Sequence, residues 1–406
     1  MFRANGNFSY LKGSYLFAEV ANRVAAYQKE HPEADIIRMG LGDVTRPLAP
    51  AVLEAMHKAV DEMGALETFR GYPPTEGYPF LREAIAKFDY SDRGLSIKPD
   101  EIFISDGGKS DCGNIPELFG QNTIVAVTDP VYPAYVDGNV MDGRGGKYNP
   151  AIDGYEKIVY LPCTEENNFV PALPEREVDV IYLCYPNNPT GTTLTRDQIK
   201  VFVDYALKTG TLIIFDSAYE AYIREDDVPH SIYEIPGAEA CAMECRSLSK
   251  TAGFTGIRCA YTVIPHALKY KDDFGNQVEL NKIWKRRGSS KFNGVSYVTQ
   301  RGAEAIYTPE GRAQVDEILN YYMENARIMR KSLAEAGYTA FGGKSAPYIW
   351  LKCEKDSWDF FDELLRDKNI VGTPGVGFGA AGDGYYRMTA FASRENTIKA
   401  MERIRK

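Results

Sequence analysis

Between about residues 100 and 265, short apolar runs alternate with amphipathic segments, and several of the runs are apolar at consecutive positions rather than every second one. Leu212-Ile213-Ile214-Phe215 is the clearest of them. A strand that is apolar on both faces has to be covered on both faces, and helices packed above and below a mostly parallel sheet do that. The candidate strands are Ile102–Ser105, Thr123–Val127, Lys157–Leu161, Val180–Tyr185, Leu212–Asp216 and Ile257–Ile264. Between two of them a helical stretch opens at Thr195, runs to Leu207 and stops near Gly210. Strands alternating with helices specify an α/β fold, with a mostly parallel central sheet flanked by helices.

The C-terminal part reads differently. Helical stretches at Gly311–Ala336 and Ser357–Arg366 surround the strand-like Tyr348–Leu351 and Tyr385–Ala390, which together specify a smaller α+β unit. The N-terminal helix Tyr15–Lys29 is a candidate to pack with it. At 406 residues the chain is long enough for two cores. We expect residues 48–294 to form the large domain, and residues 1–47 and 295–406, the two chain ends, to form the small domain with an N-terminal arm.

A net charge of −9 argues against nonspecific binding to nucleic acid or to anionic membranes, while leaving room for a local basic pocket. No apolar run reaches the roughly 20 residues that a bilayer needs, and none follows Met1 as a signal peptide would. The cytoplasm is the expected compartment. The seven cysteines are an odd number in a large chain, which argues against a disulfide framework. Cys241 and Cys245 are four apart, but no second Cys or His pair lies near them to complete a metal site, so buried free thiols are expected and no metal.

Ligands of open α/β sheets gather beyond the carboxyl ends of the strands, and four short segments fall there. Ile102–Ser105 runs into Asp106-Gly107-Gly108-Lys109-Ser110, where glycines let backbone approach a ligand and a following helix would aim N–H groups at a phosphate. A plain strand-to-helix turn has the same pattern. Asn188, in Pro186-Asn187-Asn188-Pro189-Thr190-Gly191, is either a donor to a phenolate oxygen or a turn residue. Asp216 ends a buried strand and needs a partner, such as a protonated pyridine nitrogen, unless it caps the next helix. Tyr219, three residues on, is within reach of a ring oxygen. Lys250 lies in Ser247-Leu248-Ser249-Lys250-Thr251-Ala252-Gly253-Phe254-Thr255-Gly256-Ile257-Arg258, with a hydroxyl three residues before it and an arginine eight after. An arginine can grip a phosphate with two parallel bonds, and a desolvated lysine becomes nucleophilic. Each segment alone has a bland reading, ordinary surface charge included; together, in this order, they point to an amine that bonds a carbonyl cofactor.

At these residues the chain resembles the pyridoxal phosphate aminotransferases of the aspartate aminotransferase superfamily, fold type I, over nearly its whole length. Within it, the chain is most similar to the LL-diaminopimelate aminotransferase family, through Tyr15-Leu16-Phe17-Ala18, Leu41-Gly42-Asp43-Val44-Thr45, Ser105–Lys109, Asp129-Pro130-Val131-Tyr132-Pro133-Ala134-Tyr135, Ala252–Gly256, Phe292-Asn293-Gly294 and Ala346-Pro347-Tyr348. The resemblance implies that Lys250 holds pyridoxal phosphate as an internal aldimine and then shuttles the substrate proton. Asp216 would pair with the pyridine nitrogen, Tyr132 stack on the ring, and Asn188 and Tyr219 bond its oxygen. Ser247, Arg258 and the N–H groups of Gly108 and Lys109 would hold the phosphate, with Tyr72 contributed by the second subunit of a homodimer. Arg387 would clamp the substrate carboxylate beside Gly42.

The implied reaction is transamination between small-molecule amino-acid and 2-oxo-acid substrates, LL-diaminopimelate and 2-oxoglutarate, on the route to lysine. Tyr15, Lys109 and, across the dimer, Asn293 would surround the distal end of the donor. One segment departs from the family. In Gly71-Tyr72-Pro73-Pro74-Thr75-Glu76-Gly77, Thr75 stands where a carboxylate would read the distal ammonium. Glu76 either reaches in instead or faces solvent. An aminotransferase with another or a broader amino donor, and a lyase or decarboxylase on the same frame, are the alternatives. A noncatalytic sensor is disfavoured by the acidic charge and by the lack of room before Tyr15 for a DNA-binding domain.

Overall fold

The structure is a computed structural model that describes residues 2–12 and 16–405. Seven strands form its central sheet: β1 (Ile102–Ser105), β2 (Val125–Asp129), β3 (Val159–Pro162), β4 (Val180–Cys184), β5 (Leu212–Asp216), β6 (Ala242–Ser247) and β7 (Ala260–Val263). Their spatial order is β1-β7-β6-β5-β4-β2-β3. β3, β2, β4, β5 and β6 pair in parallel, and β7 pairs antiparallel with both β1 and β6. The sheet is therefore mostly parallel, and residues that follow β1, β4, β5 and β6 emerge at one edge. All residues of β1, β2, β4 and β6 are buried, in keeping with helices on both faces.

Local sequence explains the helix at Arg196–Thr209. The Thr195 hydroxyl accepts from the Gln198 N–H, the Gln198 side chain accepts from the Thr195 N–H, and Gly210 ends the helix in the left-handed region at φ 79°. β6 is absent from the sequence-based strands because Glu244 and Arg246 interrupt its apolar pattern. Both are buried, and Arg246 pairs with Glu244 at 3.3 Å and with Glu220 at 2.9 Å. β7 starts at Ala260 and not at the expected Ile257, because Arg258 takes a left-handed φ of 62° that breaks extension.

A second sheet has four antiparallel strands, β8 (Ala340–Gly342), β9 (Tyr348–Lys352), β10 (Thr373–Pro374) and β11 (Tyr385–Thr389), in the order β8-β9-β11-β10. Its core joins Leu16, Val20 and Val24 of the N-terminal helix Leu16–Glu30 to residues between 326 and 404. Tyr15, the expected first residue of that helix, lies outside the described residues. The long helix Pro309–Glu335 belongs to two cores: Val315, Leu319 and Tyr322 pack against the large sheet's core, and Ala326, Met329 and Leu333 against the other. The change of core thus falls midway along one helix.

Candidate active site

The carboxyl ends of β1, β4, β5 and β6 meet the second sheet around a cavity of about 430 Å³. Gly42, Gly108, Lys109, Tyr132, Asn188, Asp216, Tyr219, Ser247, Lys250, Arg258 and Arg387 all line it. Distant segments meet there because β11 carries Arg387 to the edge beyond the end of β4, where it bonds Asn188 and, 347 positions earlier in the chain, Gly40.

Lys250 sits in the single turn Leu248–Thr251 that follows β6, and its amine donates to the carbonyl of Gly42. Burial pulls the lysine down to about 8; Asp43 opposes the effect, and Arg387 and Arg258 add to it. Asp216 ends β5 and accepts from the Tyr135 hydroxyl at 2.5 Å and from the Ala218 N–H at 3.0 Å. Burial raises its pKa against those donors. The Tyr219 hydroxyl shares a hydrogen bond with the Tyr348 hydroxyl at 2.7 Å, and burial keeps Tyr219 protonated well above the usual phenol range.

Arg258 and Ser247 flank the start of the helix Gly108–Asn114. Gly107, at φ 147°, packs so closely that a Cβ there would lie 1.9 Å from Nη2 of Arg258, so glycine is required on both grounds. The Arg258 guanidinium donates to the Thr255 carbonyl at 3.0 Å. Arg387 is buried and donates to Oδ1 of Asn188 and to the Gly40 carbonyl, both at 2.7 Å, with the Tyr348 ring 4.6 Å from its guanidinium. At Gly42 a Cβ would lie 2.5 Å from the Tyr348 hydroxyl.

Two expected residues are not brought to the cavity within one chain. Tyr72 is 87% exposed and Asn293 is exposed on the loop after the helix Leu280–Lys291. Tyr15 lies outside the described residues. Glu76 neither reaches the cavity nor is free in solvent; its carboxylate pairs with Lys285 at 2.5 Å. Sequence reasoning missed Tyr135, Tyr348, Ser249 and Asp43 as parts of this cavity. The segments holding Tyr135, Tyr348 and Asp43 carried the family resemblance, but nothing local marks those residues as facing a ligand.

This donor set fits pyridoxal phosphate. A half-buried carboxylate whose donors are neutral suits a cationic ring nitrogen, and a hydroxyl, a guanidinium and helix N–H groups suit a phosphate. The amine is partly neutral near pH 8. Among the described residues no group of three or more His, Cys, Asp or Glu could hold a metal ion.

The family described as aminotransferase class I and II matches residues 34–404. The chain is 57% identical to the LL-diaminopimelate aminotransferase of Bacteroides fragilis over 403 residues, 99% of this chain and 98% of that one. It is also 57% identical to the protein of that name from Agathobacter rectalis, over the whole of both chains. The solved L,L-diaminopimelate aminotransferase of Chlamydomonas reinhardtii superimposes with a TM-score of 0.93 at 43% identity, covering 99% of this chain and 98% of that one. A match over most of the length, on a fold whose cavity gathers an amine, a carboxylate and two arginines, leaves one assignment: the chain belongs to the class I and II aminotransferases.

Proposed function

We propose that this aminotransferase binds pyridoxal phosphate on Lys250 and transfers an amino group from LL-diaminopimelate to 2-oxoglutarate, giving tetrahydrodipicolinate and glutamate. The observation that carries the cofactor reading is the half-buried lysine, held down to about 8 by desolvation, in the same cavity as the half-buried carboxylate of Asp216. The substrate reading rests on the full-length relatives named for that activity.

When bound, the cofactor supplies the electron sink that makes the substrate Cα–H acidic. The Lys250 amine, partly neutral at the working pH, takes that proton and returns it. Asp216 offers a negative charge where the ring nitrogen would lie, and Tyr219 and Asn188 offer polar groups for the ring oxygen. Ser247, Arg258 and the N–H groups of Gly108 and Lys109 hold the phosphate. Arg387, fixed by Asn188 and the Gly40 carbonyl, presents its guanidinium to the substrate carboxylate.

The active unit is a homodimer. Leu66, Phe69 and Tyr72 are large apolar side chains exposed in one short segment, which supports a second copy covering them and Tyr72 completing the neighbour's phosphate site. Asn293 would reach the partner's substrate in the same way. Free, buried thiols at all seven cysteines support a reducing compartment, the cytoplasm. Among the described residues no helix is long and apolar enough to cross a membrane.

Borohydride reduction of the purified protein followed by peptide mapping should place the label on Lys250. Separately, unreduced enzyme supplied with LL-diaminopimelate and 2-oxoglutarate should form glutamate; none formed would end the substrate reading. The pairing of Glu76 with Lys285 leaves Thr75 as the residue at the expected carboxylate position, which favours a wider donor range as the second reading. Equal rates across a panel of amino donors would select it.

A further inference from the structure

The Asp216 carboxylate is held by neutral donors. The Tyr135 hydroxyl is 2.5 Å away, the Ala218 N–H 3.0 Å, and the Cys112 thiol 3.9 Å. Tyr135 is the shortest of these contacts and is itself immobilised. It is fully buried in the helix Pro133–Met141, and its ring stacks on Tyr182 at 4.9 Å and 18°. The ring of Tyr132, the residue assigned to the cofactor face, meets it edge-on at 5.5 Å. The Asn139 side chain donates to its carbonyl at 2.9 Å. A phenol fixed this firmly dictates where the carboxylate points.

We propose that Tyr135 is a positioning residue for amino transfer, its hydroxyl keeping Asp216 oriented and ionised so that the proton of the Asp216–pyridine pair stays on the ring nitrogen. The inference rests on the cofactor reading above. A hydrogen bond donated to a carboxylate stabilises the ionised form, and does so more strongly in a site that excludes water. Without it the carboxylate's proton affinity rises. The same single proton then leaves the ring nitrogen for an Asp216 oxygen, an N–H bond giving way to an O–H bond and both partners becoming neutral. A neutral ring draws electrons less. The other titratable groups facing Asp216 from the packed elements are Cys112, Cys184, Cys245 and Tyr348, whose pKa values are all raised, so none of them adds a second negative charge beside the carboxylate.

The test is the ¹⁵N chemical shift of ring-labelled pyridoxal phosphate loaded into wild-type protein and into Tyr135→Phe, which keeps the ring stacked on Tyr182. The wild type should give a protonated nitrogen. The variant should move toward the unprotonated shift, with kcat lower by about 10–100-fold and KM for the amino donor within about twofold. Should the variant fail to load, 3-fluorotyrosine at position 135 keeps the shape and donates more strongly, and it should hold the nitrogen protonated to higher pH than the wild type. A nitrogen signal unmoved in the loaded Tyr135→Phe protein, whatever its rate, or unmoved by the fluorinated residue, overturns the role of Tyr135 and leaves the cofactor reading standing. A wild-type protein that takes up no pyridoxal phosphate sinks both.

Discussion

Lys250 lies one short turn beyond β6, where burial pulls its amine to about 8. A lowered pKa leaves the neutral, nucleophilic amine abundant at mildly alkaline pH. Uptake of pyridoxal phosphate by the apoprotein, followed by absorbance, should therefore quicken with pH and level off above about 8. A rate still climbing near pH 10.5, where an ordinary lysine titrates, would mean the amine is not desolvated. Gly107 makes a second prediction. An added Cβ would meet Arg258 at 1.9 Å, so Gly107→Ala should displace the guanidinium. Losing a charged hydrogen bond costs about 1.5–3 kcal/mol, which is roughly a ten- to hundredfold weaker cofactor Kd by absorbance titration. Lys250, Asp216, Asn188 and Arg258 were legible in the sequence because each stands in a short motif at a strand end or beyond it. Tyr135 and Tyr348 were not, since tyrosines in apolar surroundings read as ordinary core.

At the scale of elements, β6 carries the most consequential charges outside the cavity. The side chains of Glu244 and Arg246 are 0% and 3% exposed, and Glu244 also accepts from the Tyr90 hydroxyl at 2.7 Å. Removing one member leaves the other buried and uncompensated. Arg246→Met should lower unfolding free energy by ~3–5 kcal/mol in urea titrations. A loss under about 1 kcal/mol would show that the site relaxes or admits water. The same pair explains why the strand escaped the sequence reading, which looked for apolar runs. The helix Arg196–Thr209, by contrast, was readable because Thr195, Gln198 and Gly210 form its caps locally.

For the whole molecule, the proposed homodimer has a test that single variants cannot give. If Tyr72 serves the neighbouring site, Lys250→Ala and Tyr72→Ala subunits mixed and reassembled make hybrids with one site carrying both lesions and one carrying neither. Cofactor titration of the mixture should recover a class of sites with wild-type affinity, about half of those in the hybrids. No such class would place Tyr72 outside its neighbour's site. The helix Pro309–Glu335 bears on the same scale, since it enters one core at Val315 and another at Ala326. Its amphipathic pattern is continuous, so nothing along it marks where one core gives way to the next.

The sequence by itself determined the fold class, the order of chemical motifs and the family, because strand hydrophobicity, capping and motif spacing are properties of neighbouring residues. Only the tertiary structure decided that Arg387 sits on Asn188, that Tyr135 and Tyr348 hold Asp216 and Tyr219, and that Glu76 is engaged by Lys285. Those contacts join segments brought together by packing of the two sheets, and the burial that shifts their proton affinities exists only once that packing has formed.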